Sequence, residues 1–244
     1  WGDDTSLAVA TLLSPADQPA KRAFVAYLQA KYGTIANLNE NWGSRHATWD
    51  ALLHHREKPD LAKARPDLEN FYTRLAETYF QIVREEVKRA APNHLYLGCR
   101  FAWMNDRALR AAAKYCDVLS CNVYDYDVSR VAPPKDVDRP VLIGEFHFGA
   151  LDRGMFHTGL RATRDQDDRA AKYTAYVHSA LRHPLVVGAH WFQYQDQPTT
   201  GRGDGENYQI GFVDICDRPY HEIVEASRRL GEHLYEYRSS GGKD

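Results

Sequence analysis

Cysteine is scarce and without pattern. The four residues, Cys99, Cys116, Cys121 and Cys216, form no C-x-x-C pair in 244 residues, which excludes a disulfide-stapled scaffold and a cysteine zinc site. They are expected as reduced core thiols, with a single disulfide as the alternative. No apolar run approaches the ~20 residues of a membrane helix, so no membrane partner is expected. Net charge is lacking too: 31 Lys+Arg stand against 33 Asp+Glu, −2 overall, which leaves no basic footprint for nucleic acid. Neither H-E-x-x-H nor G-x-S-x-G occurs, removing a zincin centre and a hydrolase serine elbow. No metal and no cofactor is expected. The chain opens at Trp1 with neither Met nor a leader pattern, which reads as a piece of a longer protein.

What is present is an ordinary globular composition, 43% hydrophobic and 26% charged, with an aromatic share of 12%. Such aromatics suit sugar-ring surfaces as well as a core. Over the first ninety residues the periodicity is helical. A helix is predicted over 20–31, a short one within TIANLNENWGS, and a long amphipathic one from about Asp67 to Ala91, ended by Pro92-Asn93. Then the texture changes. LYLGCRFAW (95–103), DVLSCNVYDY (117–126), RPVLIGEFHFG (139–149) and LVVGAHWFQYQD (185–196) read as buried strands, with helices over 105–115, 165–184 and 219–238. Buried strands alternating with helices predict a parallel α/β sheet. Four strands fit either an open sheet or the back half of a (β/α)8 barrel, which needs eight. The chain thus divides into a helical segment (1–94), the sheet segment (95–238) and a disordered tail (239–244).

In parallel α/β folds chemistry gathers at the carboxyl ends of strands. Here those ends carry Arg100 and Trp103, then Asn122 and Tyr124, then Glu145 and His147, then His190, Trp191, Gln193 and Gln195. Glu145 interrupts the apolar run VLIGEFHFG, and an unpaired charge there is costly. One explanation is a buried ion pair, for instance with Arg100. The other is a nucleophile: a glutamate attacks an anomeric carbon, a tyrosine hydroxyl holds it ionised, and a tryptophan face floors the sugar. His147, two residues on, is expected on the same face, where it binds a sugar hydroxyl or satisfies the core. The loop QPTTGRGDGENYQIGF (197–212) offers Arg202, Asp204, Glu206 and Asn207 to a polyol, or is a solvated turn. Its D-x-E-N does not have EF-hand spacing.

The runs GEFHFGALDRGMFHTGL and HWFQYQDQPTTGRGDGENYQIGFVD closely resemble glycoside hydrolase family 50, the β-agarases. YLQAKYGTIANLNENWGS and APNHLYLGCRF match the same family, so the resemblance spans about Trp1 to Arg238. The resemblance implies a retaining (β/α)8 glycosidase, here strands five to eight preceded by a helical segment. It implies Glu145 as nucleophile, Tyr124 as its support and Trp191 as a lining of the sugar subsite. Arg100, Asn122, His147, Gln193, Asp204, Glu206 and Asn207 are candidate contacts to a galactan oligo- or polysaccharide.

One feature of the family is missing. Its acid/base glutamate belongs to an Asn-Glu pair at the end of strand four, just ahead of a segment like Trp1-Gly2-Asp3. Asn39-Glu40 repeats the dipeptide within a helical segment and is not expected to serve. The full enzyme is therefore expected to hydrolyse β-1,4-galactosyl links, and this chain alone to show little or no turnover. Two open sheet edges invite self-association, and a polymer substrate favours a secreted or periplasmic location. The alternatives are a β-galactosidase of the family 42 kind and a non-catalytic carbohydrate-binding α/β domain.

Overall fold

The computed structural model describes residues 1–242. It forms two compact units, Trp1–Tyr96 with Trp103–Cys116, and Leu97–Ala102 with the chain from Asp117 onward.

The first unit is helical: α1 (Ser6–Leu13), α2 (Pro19–Tyr32), α3 (Ile35–Trp42), α4 (Trp49–His54), α5 (Leu61–Ala90) and α6 (Asp106–Tyr115). Polar caps set several starts. The side chains of Thr34, Thr48, Asp60 and Asn105 each accept from a backbone N–H in the following turn, satisfying donors that a helix start leaves unpaired. The long helix begins six residues earlier than its predicted start at Asp67, because Asp60 caps Ala62 and Lys63. Pro66 sits in the second turn, where its missing N–H forfeits one bond only. The core packs Leu12, Phe24, Leu28, Leu38, Trp42, Leu68 and Phe71, with Phe24 and Phe71 stacked at 4.0 Å. Two charges lie inside it. Lys21 donates to the carbonyls of Ser14 and His55, and Asp67 accepts from four side chains.

The second unit is a four-stranded parallel sheet in the order β1 (Arg100–Phe101), β2 (Leu119–Asn122), β3 (Val141–Phe146), β4 (Val186–Trp191). The mixed α/β class with a parallel sheet is thus the observed one. β1 is far shorter than the predicted 95–103, and Leu95 and Leu97 are exposed rather than buried. β1 and β4 each pair on one side only. Helix α7 (Gln166–Arg182) links β3 to β4, and α8 (His221–Ser239) closes the unit. Asp165 caps α7, and Asp167 and Asp168 lie in its first turn, complementing the helix dipole. Phe146 stacks on Tyr176 of α7 at 4.1 Å, so that face of β3 meets the helix layer.

Where a tail from 239 was predicted, α8 includes Ser239, and Gly241 and Gly242 donate back to Arg238 and Tyr237. Residues 243–244 of that tail lie outside the described residues. None of the four cysteines is in a disulfide. Cys116 and Cys121 are buried as expected, but Cys99 is only half-buried and Cys216 is exposed on the loop before α8, so neither is a core thiol.

Candidate active site

A single skipped residue builds the site. Cys121 pairs with Ile143, yet the next residue, Asn122, pairs with Glu145, passing over Gly144. In a regular strand Glu145 would share the face of Ile143, because side chains alternate. The extra residue is a β-bulge, which turns everything after it to the opposite face. A Cβ on Gly144 would lie 2.4 Å from Arg100 Cγ and 2.9 Å from Ser120 Oγ. Both residue 144 and Glu145 therefore face the side that carries Arg100 and Asn122, and only glycine leaves Arg100 a lane across the strand.

The Glu145 carboxylate collects three donors from the neighbouring strand ends. Arg100 Nη2 lies 2.8 Å from Oε1; Asn122 Nδ2 and Tyr124 Oη donate to Oε2 at 2.7 and 2.6 Å. Backbone bonds hold these ends in place, since Val123 N–H donates to Glu145 O and Tyr176 Oη to Val123 O. Glu145 is 12% exposed while Arg100 is 56% exposed. The carboxylate is recessed and its cation lies at the surface, so this pair is not sealed. Burial, and then the bond to Glu145, push the Tyr124 phenol well above its usual range, so Tyr124 is a fixed proton donor to the carboxylate. Asn122 Oδ1 is buried without a hydrogen-bond partner.

His147 departs from its expected role as a sugar contact. It is buried, Nδ1 bonds Phe192 O at 3.1 Å, and Nε2 accepts from Leu160 N–H at 2.8 Å, so neither nitrogen is left for a hydroxyl. Trp191 is partly buried. Its N–H donates to Ile210 O, its ring sits among Phe146, Phe148, Tyr173 and Phe212, and the Arg169 guanidinium lies 5.5 Å from its centre. Trp191 supports the loop; the open ring at this strand end belongs to Tyr194, 71% exposed.

In the loop after β4, Gln193 donates to Gln195 O. Glu206 accepts from Gln197 Nε2 and pairs with Arg202, and its charge is felt at Tyr124. Asp204 is exposed, paired with Arg202 and accepting from Glu206 N–H. Asn207 is half-buried with its side chain unengaged among the described residues.

The loop rests on a buried polar group that the strand-end reading overlooked. Arg169 of α7 donates to Phe148 O, Gln166 Oε1 and Gly211 O, and burial lowers its guanidinium to about 10. Asp196 accepts from Gly211 N–H and Tyr220 Oη, and Gln209 donates to Tyr220 Oη. The signal was available: Gln166, Arg169, Ala170, Tyr176, Val177 and Ala180 are the buried stripe of α7, and an arginine on an apolar stripe requires partners. Asn39-Glu40 lies in α3, where Asn39 is spent on Ser44 and His46 and Glu40 is exposed.

Residues 15–152 match the β-galactosidase model of glycoside hydrolase family 42. β-Agarase B of Vibrio sp. (strain JT0107) is 44% identical over 230 residues, 89% of this chain and 24% of that protein. The crystal structure of an agarase superposes with a TM-score of 0.87 at 43% identity, covering 95% of this chain and 34% of that one. An exo-β-agarase gives 0.88 at 40% identity, covering 97% and 34%. The chain spans about a quarter of the length of the curated relatives it matches.

Proposed function

The chain belongs to the glycoside hydrolases, matched by the family 42 β-galactosidase model over more than half its length and with family 50 β-agarases as near relatives, and from that premise we propose that it carries the nucleophile side of a retaining site for the β-1,4-galactosyl bonds of agarose. The observation that carries this reading is the three-donor cradle of Glu145. Oε2 is occupied by two donors and Oε1 by one half-exposed guanidinium, so Oε1 is the oxygen that attacks the anomeric carbon. Tyr124 and Asn122 donate to the carboxylate and hold it aimed. Glu206, Asn207 and Gln193 are substrate contacts along the rim.

A retaining mechanism needs a second carboxyl about 5–5.5 Å away to protonate the leaving oxygen. Within the chain the one Asn-Glu pair lies on α3 with Glu40 exposed, and Glu206 is engaged by Gln197 and Arg202. The acid/base is therefore proposed to come from sequence outside this chain. In the same reading β1 to β4 are strands five to eight of a (β/α)8 barrel. The order of the sheet and the coverage of a third of each agarase structure support it.

The test avoids the missing acid. A 2-deoxy-2-fluoro-β-galactosyl fluoride departs without a proton, so it should glycosylate Glu145 in this chain, detected as a mass increase on the peptide containing Glu145. Labelling elsewhere, or none, rejects Glu145 as nucleophile. The family 42 match favours a second reading, a β-galactosidase. Turnover of small galactosides rather than agarose by the parent enzyme would select it.

A further inference from the structure

His147 is the buried titratable group beside the candidate nucleophile that the reaction does not consume. Its two partners determine its state. Phe192 O is a carbonyl and can only accept; Leu160 N–H is an amide and can only donate. The ring must therefore carry its proton on Nδ1 and a lone pair on Nε2. A cation would set Nε2–H against Leu160 N–H, and the charges that face the ring, Arg169 and Arg161, are both positive. The ring is held at both nitrogens. Gly159, at φ 75°, lies so close that a Cβ there would be 2.6 Å from Nε2. This fixed ring packs against Tyr124 at 4.7 Å between centroids, and Tyr124 in turn donates to Glu145 Oε2.

We infer that His147 is a positioning residue: anchored to Phe192 O at the end of β4 and to Leu160 N–H in the loop after β3, it walls the Tyr124 ring into the one orientation that places its hydroxyl on Glu145. The inference rests on Glu145 as nucleophile, and it adds a residue whose effect passes through Tyr124 rather than through substrate. A merely structural histidine would instead pin the loop and leave the Tyr124–Glu145 bond indifferent to its loss.

Two readouts on the intact chain separate these roles. In the first, labelling of Glu145 by the fluorogalactosyl fluoride is timed. His147→Ala should slow it about tenfold, the worth of one hydrogen bond to a charged group. In a Tyr124→Phe background the same change should add less than about twofold, because sites acting through one another are non-additive. An equal slowing in both backgrounds overturns the inference. In the second, the Tyr124 ring carbon signal is followed in a 13C-tyrosine sample, assigned by its disappearance in Tyr124→Phe. Glu145→Gln should shift it in the parent chain and leave it almost unmoved once His147 is replaced; an undiminished shift overturns the inference. Should the parent chain take no label, the nucleophile reading fails while the tyrosine signal still decides the role of His147. His147→Gln, which keeps an acceptor for Leu160 N–H, serves both readouts if the alanine variant does not fold.

Discussion

Asp67 in the helical unit and Glu145 in the sheet unit are both carboxylates among apolar neighbours, and each is met by donors in a different way. Asp67, 1% exposed, takes Lys31 and Tyr27 on one oxygen and Tyr32 and Trp42 on the other. Both oxygens are filled, from helices that bury it on all sides. Glu145 takes donors from two strand ends, but one of its oxygens faces only a guanidinium that is itself half in solvent. The first arrangement satisfies a carboxylate that never has to react; the second holds a carboxylate in place and leaves one of its oxygens a lone pair. Burial does not separate a structural carboxylate from a reactive one. What separates them is whether every lone pair is spoken for.

The contrast is broken most sharply at Glu145. Glu145→Gln should cut covalent labelling by about 10⁴-fold or more, as loss of a nucleophile does, while the melting temperature barely moves. Asp67→Ala should do the reverse. Stranding the Trp42 N–H and two tyrosine hydroxyls in the core costs about 3 kcal/mol, read from denaturant unfolding, with the labelling rate of the folded fraction unchanged.

Acid tests a third buried group. Burial holds the His147 imidazole down at about 4 against its usual 6.5. Above pH 6.5 the ring is neutral folded or unfolded, and stability does not depend on it. As pH falls from 6.5 toward 4, the unfolded chain binds a proton that the folded chain refuses. Stability should therefore fall by up to ~3 kcal/mol across that window and level off below it. His147→Gln should flatten this part of the profile. The smallest effect belongs to Tyr124→Phe, which removes one donor from Glu145: labelling should slow by about 10- to 100-fold with little change in stability.

Much of this was legible in the chain. Caps and apolar spacing located α2, α6, α7 and α8, and the buried runs located four parallel strands, because those signals are local. The start of α5 was hidden by Pro66, which marks a helix boundary in most contexts but is harmless near an N-terminus capped by Asp60. At the site, the charge inside VLIGEFHFG and the tyrosine and asparagine of the preceding strand pointed to one place, and the structure brings Arg100, Asn122, Tyr124 and Glu145 together there. The hydroxyl-binding role expected of His147 did not carry over, since both ring nitrogens are taken by backbone groups of distant loops, Leu160 and Phe192, and the partner of the Trp191 indole N–H, Ile210 O, was equally hidden. Such partners leave no trace in spacing. The same rule that singled out Glu145, a charge in apolar company, also applies to Lys21, Asp67 and Arg169, and applying it to helical stripes would have found the group beneath the 195–213 loop.

The passing-over of Gly144 gives the site an unusual dependence on arithmetic. Its reactive carboxylate is directed not only by which residues are present but by how many stand between Ile143 and Phe146. An in-frame deletion of the codon for residue 144 would keep the net charge and every donor and, by restoring a regular pleat, still leave the glutamate on the Arg100 face, but next to Ile143 and one residue short of the Asn122 pairing it now has. Deletion scanning, more than substitution scanning, is where this stretch should prove brittle.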